Sequence, residues 1–293
     1  MGATVKELKE QFRNELTGIF SPQEAVHMAW LIFNHLRGWS KTQMMLHEDT
    51  KLNDSEYKFI ETALERLKNH EPVQYITGET EFFGLPFRVN TSVLIPRPET
   101  EELVEWILQE VLSSPSPRIL DIGTGSGCIA VALASRLPQA GIEAWDVSAD
   151  ALEVARSNAE NNGVLVQTQQ VDILNAPQDL KGPYDIIVSN PPYVRNAEKV
   201  MIEPNVTDYE PHLALFVDDR DPLIFFRHIA SFAWQALKPG GRLFFEINRD
   251  FGEATSRLLT SYGFENPEVK KDLSGNSRMV KVVKPVGRSE KGL

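Results

Sequence analysis

Residues 120–130 read LDIGTGSGCIA: a short apolar run, a cluster of glycines, then the start of a helical pattern. Gly123, Gly125 and Gly127, with Thr124 and Ser126 between them, suit a tight strand-to-helix turn whose backbone a ligand can approach without meeting a Cβ. The spacing narrows the ligand. A dinucleotide fingerprint would set its third glycine at position 128, which is Cys128, and a phosphate-binding P-loop would need Gly-Lys-Ser/Thr, which is absent. A smaller, uncharged nucleoside fits better than a pyrophosphate, although a strand–helix turn with no ligand would use the same residues.

Outward from this turn the chain alternates. Strands are expected at RILDIG, GIEAWDVS, VLVQTQQVD, YDIIVSN and GRLFFEIN, with FENPEVKKDL and SRMVKVVK as a closing hairpin. Helices are expected at CIAVALASRL, ADALEVARSNAENN, DPLIFFRHIASFAWQAL and EATSRLLTSYG. This pattern predicts an α/β fold, a doubly wound, seven-stranded, mostly parallel sheet covered on both faces.

Ligands of such sheets bind beyond the carboxyl ends of the strands, so the strand ends matter. Asp146 ends the second strand, about 20 residues past the glycines, where a carboxylate can accept both hydroxyls of a ribose. Asp172 ends the third, placed to accept from an adenine amino group while Ile173 packs on the ring. Asp121 is expected to orient the loop backbone. The fourth strand stops at residues 190–193, Asn190-Pro191-Pro192-Tyr193, because neither proline can donate to a ladder.

That tetrapeptide suits a planar NH2 group, whose delocalised lone pair makes it a poor nucleophile. The Asn190 carbonyl oxygen and a backbone carbonyl, that of Pro191, could accept its two hydrogens and stabilise the positive charge gained on attack. Pro191 and Pro192 hold the acceptors rigid and Tyr193 offers a stacking face. A strand-ending turn with a buried tyrosine is the plainer reading of Pro-Pro-Tyr alone.

Upstream the pattern is helical. Thr4 with Glu7, and Ser21-Pro22 with Glu24, are capping-box starts, Gly38 is a helix stop, and Ser40 and Asn53 or Asp54 begin two further helices. Residues 1–71 are expected to form a helical bundle, 72–97 a β-hairpin linker, and 98–293 the glycine-loop domain. Within the linker, VQYITGETEFFGLPFRVN reads as strands because it is rich in β-branched and aromatic residues.

The net charge of −11 opposes sequence-independent binding to nucleic acid, so no stable nucleic-acid partner is expected. One cysteine excludes an internal disulfide, and the six histidines lack metal-ligand spacing, so no metal site is expected. No apolar run approaches the ~18 residues of a membrane span. The charged start has no signal-peptide core, so a cytoplasmic protein is expected. Nothing demands an oligomer, and a monomer is expected.

DIGTGSG followed by Asp146, Asp172 and NPPY resembles the class I S-adenosylmethionine-dependent methyltransferases, Rossmann-like enzymes, here of the kind acting on a planar nitrogen. PVQYITGETEFFGLPFRVNTSVLIPRPETEELVEW, SNPPYV, YEPHLALF and DLSGNSRMV further resemble the peptide-chain release factor glutamine N5-methyltransferases (PrmC/HemK family), over residues 71–283. The resemblance implies methylation of the side-chain amide of the Gln in a release factor's Gly-Gly-Gln loop, with release factors as partners. It implies that residues 123–127, Asp146, Asp172, Ile173 and Asn190 bind S-adenosylmethionine, which leaves as S-adenosylhomocysteine, and that residues 190–193 receive the glutamine. The bundle and hairpin are the expected docking surface. Ile173 and Asn248 depart from the family pattern, the first where some relatives have an aromatic, the second where many have glycine. An adenine or cytosine amino-methyltransferase shares the NPPY chemistry but would want a basic face and a target-recognition region. A non-catalytic adaptor on the same fold would not need NPPY.

Overall fold

The computed structural model describes residues 3–111, 115–176 and 182–286. The chain divides into two compact units, one of residues 1–79 with 203–209, the other of 80–202 with 210–293.

The first unit is helical: α1 (Val5–Glu15), α2 (Pro22–Arg37), α3 (Lys41–Leu46), α4 (Asp54–Lys68) and α5 (Val73–Thr77). The starts read from sequence are all there. Thr4, Ser21, Ser40 and Asn53 each accept from the backbone three residues on, and Glu7, Glu24, Gln43 and Glu56 return the bond. Gly38 closes α2 in the left-handed region that its missing Cβ permits. Val5, Leu8, Phe12 and Leu16 from α1 meet Ile32 and Phe33 from α2 and Ile60, Leu64 and Leu67 from α4 in one core. His27, His35 and His47 lie against Trp30, Phe59 and Trp39 as ring-packing partners. Residues 73–77 depart from the sequence reading. They are a short helix, not a strand, entered at Pro72 and closed by Gly78 at φ 76°; its end signals outweigh the strand preference of Val, Tyr, Ile and Thr.

The second unit opens with a hairpin, β1 (Glu79–Phe82) and β2 (Leu85–Arg88), then α6 (Pro98–Val111). Next come β3 (Arg118–Ile122), α7 (Cys128–Arg136), β4 (Gly141–Asp146), α8 (Ala149–Asn161), β5 (Gln167–Gln170), β6 (Tyr184–Ser189) and β7 (Val194–Arg195). Residues 204–207 give α9 (Pro204–Thr207), which belongs to the helical unit. The rest is α10 (His212–Leu215), β8 (Phe216–Val217), α11 (Ile224–Ala236), β9 (Leu237–Glu246), α12 (Gly252–Ser261), β10 (Glu265–Lys271) and β11 (Ser277–Val283).

Seven strands form the main sheet in the order β10-β11-β9-β6-β3-β4-β5. β9, β6, β3, β4 and β5 run parallel, and β11 joins β9 antiparallel, as the closing hairpin requires. Side chains alternate between faces. Ile119, Ile186, Val188 and Phe244 pack with α6 and α7, whereas Leu120, Ile122, Ile187 and Phe245 pack with α11 and α12. Both sides of every central strand are thus apolar, which is why the strands read as continuous hydrophobic runs.

Because β3 is flanked by β6 on one side and β4 on the other, the chain reverses direction of growth there. A crevice forms beyond the strand ends at such a switch point. Ile122 is in register with Ser189, and the buried Ser189 hydroxyl donates to the Ile122 carbonyl at 2.7 Å. Gly123 and Asn190 therefore leave the sheet side by side.

Candidate active site

A cavity of about 270 Å³ lies beyond those strand ends, lined by the glycine loop, Asp146, Asp172, Ile173, Asn190, Pro191 and Pro192. Residues of four separate strand ends, far apart in sequence, are brought to one place.

Its floor is the turn after β3. The Gly123 and Thr124 amides both donate to the Trp145 carbonyl, at 2.8 and 2.9 Å, which pulls the loop toward β4. Gly125, at φ 55°, turns its amide onto Asp146 Oδ2 at 2.9 Å, and a Cβ there would meet nothing within 4 Å. Gly127 serves packing instead: a Cβ would sit 3.1 Å from the Ala155 Cβ of α8. The buried Asn158 fixes the same loop from behind. It donates to the Ser126 carbonyl at 2.9 Å while bonding both the amide and the carbonyl of Arg88.

Asp121 does orient this loop, through a side chain. It is fully buried and accepts the Thr124 hydroxyl at 2.6 Å. Burial pushes its carboxyl up to about 7, with the Asp146 charge adding to the shift and the Thr124 hydroxyl and the Ala130 amide opposing it. Asp146 is also raised by burial and is held by the amides of Gly125 and Ser148. Each of its oxygens keeps a second lone pair for a ligand hydroxyl. Asp172 caps a single 3₁₀ turn, accepting from the Leu174 amide at 3.0 Å and from Asn175 Nδ2 at 2.8 Å. Ile173, Phe225 and Ile229 give the cavity an apolar wall nearby.

The opposite wall holds the tetrapeptide. Asn190 Nδ2 lies 3.4 Å from Thr100 Oγ1, and Thr100 donates to Glu246 Oε2 at 2.6 Å. Tyr193 does not line the cavity that its three neighbours line. Its hydroxyl donates to Glu246 Oε1 at 2.9 Å, and burial and that carboxyl raise its pKa. Asn248 caps the same region, its side-chain amide 3.4 Å from the Tyr193 carbonyl. Thr100 and Glu246 carried no signal in the sequence. Arg278 lies in β11, paired with Asp272 and interacting with Tyr193 and Glu246.

Two residues far apart in sequence meet in one ion pair. Arg97 donates to Glu210 Oε1 at 2.5 Å, and Glu210 Oε2 accepts the Ile95 amide at 3.1 Å. Glu210 is buried, and Pro211, Leu213 and Ala214, which follow it, line the cavity. Cys128 also faces the cavity, its thiol pushed up to about 12 by burial. Among the described residues no cluster of three His, Cys, Asp or Glu side chains is placed to hold a metal ion, and no helix is long and apolar enough to cross a membrane.

Comparison with known proteins is consistent along the chain. A family model described as the methyltransferase small domain matches residues 102–207, and one described as the PrmC N-terminal domain matches residues 7–78. The release factor glutamine methyltransferase of Flavobacterium psychrophilum is 49% identical over 281 residues, 95% of this chain and 98% of its own. That of Bacteroides thetaiotaomicron is 43% identical over 268 residues, 92% and 96% of the two chains. Among solved structures, the hMettl16 catalytic domain in complex with MAT2A 3'UTR hairpin 6 has a TM-score of 0.56 at 18% identity, over 80% of this chain and 82% of that one; this is a likeness of fold.

Proposed function

The chain belongs to the release factor glutamine methyltransferase family, and from that premise we propose that the crevice at the β3–β6 switch point transfers a methyl group to the side-chain amide nitrogen of a glutamine. The acceptor is the Gln of the Gly-Gly-Gln loop of a peptide-chain release factor, reached in the cytoplasm. The observation that carries this reading is Asn190, set beside Gly123 with its amide nitrogen turned to Thr100.

Bound S-adenosylmethionine would supply the electrophilic methyl group. The cavity suits it: the loop is open over Gly123 and Gly125, where a Cβ would meet nothing, and Asp146 retains lone pairs for ribose hydroxyls. Asp172 and Ile173 would take the adenine edge and face. Asn190 Oδ1 and the Pro191 carbonyl would accept the two hydrogens of the glutamine amide, fix the nitrogen, and stabilise the positive charge that grows on it. No strong base is needed, since the nitrogen can lose its proton once the new bond has formed.

The test is incubation with methyl-labelled S-adenosylmethionine of a release factor, its Gln→Ala variant, total tRNA, rRNA and DNA. Label on the release factor that vanishes with the glutamine is expected. Label on nucleic acid would keep the planar-nitrogen chemistry and overturn the substrate.

A further inference from the structure

Glu246 is a buried carboxyl at the site, 1% exposed, and Thr100 is 2% exposed. Neither touches the bound groups in the reading above, yet both connect to Asn190. We propose that Glu246 and Thr100 are positioning residues that fix which branch of the Asn190 amide faces the substrate. The inference rests on the proposed glutamine methylation and adds to it.

An ionised carboxylate only accepts hydrogen bonds. Glu246 takes the Thr100 hydroxyl on Oε2 and the Tyr193 hydroxyl on Oε1, so both protons point toward it. Thr100 Oγ1 is left with lone pairs alone for Asn190. Nδ2 can donate to them across 3.4 Å, whereas a flipped amide would set oxygen against oxygen. Thr100 is only 2% exposed where it lines the cavity, so little water can relieve that clash. The polarity of one buried chain, Glu246 to Thr100 to Asn190, thus leaves Oδ1 for the cavity. A flipped Asn190 would present NH2 to the NH2 of a glutamine, donor against donor. Burial raises the Glu246 pKa, and the Thr100 and Tyr193 hydroxyls, with the Arg278 guanidinium from β11, oppose that shift and favour the ionised form. The same carboxylate accepts from Tyr193 directly and reaches Asn190 through Thr100, and the Tyr193 bond explains why that ring turns away from the cavity.

Thr100→Val keeps the shape and removes the hydroxyl, while Thr100→Ser keeps the hydroxyl. We expect Thr100→Val to lower kcat on a release factor by about tenfold, the scale of one hydrogen bond. The Kd for S-adenosylmethionine should stay unchanged, and Thr100→Ser should restore most of the rate. Glu246→Gln should lose at least as much, and the double variant no more than the worse single one, because the two act in series. Equal rates for Thr100→Val and Thr100→Ser, or losses that multiply, would overturn the proposal. If Glu246→Gln fails to fold, the two Thr100 variants decide alone. An activity-independent readout separates this from failure of the substrate assignment. In 15N-labelled protein the Asn190 side-chain NH2 resonances, identified by their loss in Asn190→Ala, should move in Thr100→Val and not in Thr100→Ser. Resonances that stay put in both would overturn the chain even if the wild type methylates nothing.

Discussion

Asn190 is half amide donor and half amide acceptor, and in the proposed reading only the acceptor half meets substrate. Asn190→Ala should lower kcat by about 100-fold or more, the scale for losing one preorganised polar partner at a transition state. The Kd for S-adenosylmethionine, measured by calorimetry, should change much less; equal losses in both would end that division of labour. Asp121 makes a different prediction, about stability. Its folded-state pKa of about 7 lies above the ordinary 3.8, so folding takes up a proton between those values. The folded state binds more protons than the unfolded one there, so this group's contribution falls as pH rises from 3.8 to about 7 and is level above it. Asn at 121 carries no such proton. The melting temperature of the wild type should therefore drop relative to that of Asp121→Asn across this window, and parallel curves would contradict the assignment.

Helix ends and strand ends were the most legible elements, because their chemistry is local. Ser21-Pro22-x-Glu24 names its own cap, and Ser21→Ala should cost about 1 kcal/mol in urea denaturation. The glycine loop was legible as a turn, but its third glycine was not legible as a packing residue, since Ala155 lies on another helix. Gly127→Ala should destabilise by about 2–4 kcal/mol, combining a left-handed backbone at φ 80° with a Cβ contact of 3.1 Å, and a stability within error of wild type would contradict this. What local chemistry cannot carry stayed hidden. Glu246 ends an apolar strand and looks like any solvated strand terminus, and its partners Thr100 and Tyr193 lie 146 and 53 residues away. VQYIT was read by side-chain type when the flanking Pro72 and Gly78 decided it.

At the scale of the whole molecule, a net charge of −11 gives nucleic acid little to hold. Adding total tRNA to a release factor assay should leave the initial rate unchanged, and a fall in proportion to added tRNA would point to a nucleic-acid site. The most direct measurement is fragmentation mass spectrometry of the Gly-Gly-Gln peptide from a release factor incubated with S-adenosylmethionine and either wild type or Asn190→Ala. A single methyl group on the glutamine side-chain nitrogen, nearly lost with Asn190→Ala, is the predicted result. A methyl group on any other atom, or equal methylation by both proteins, would contradict the account.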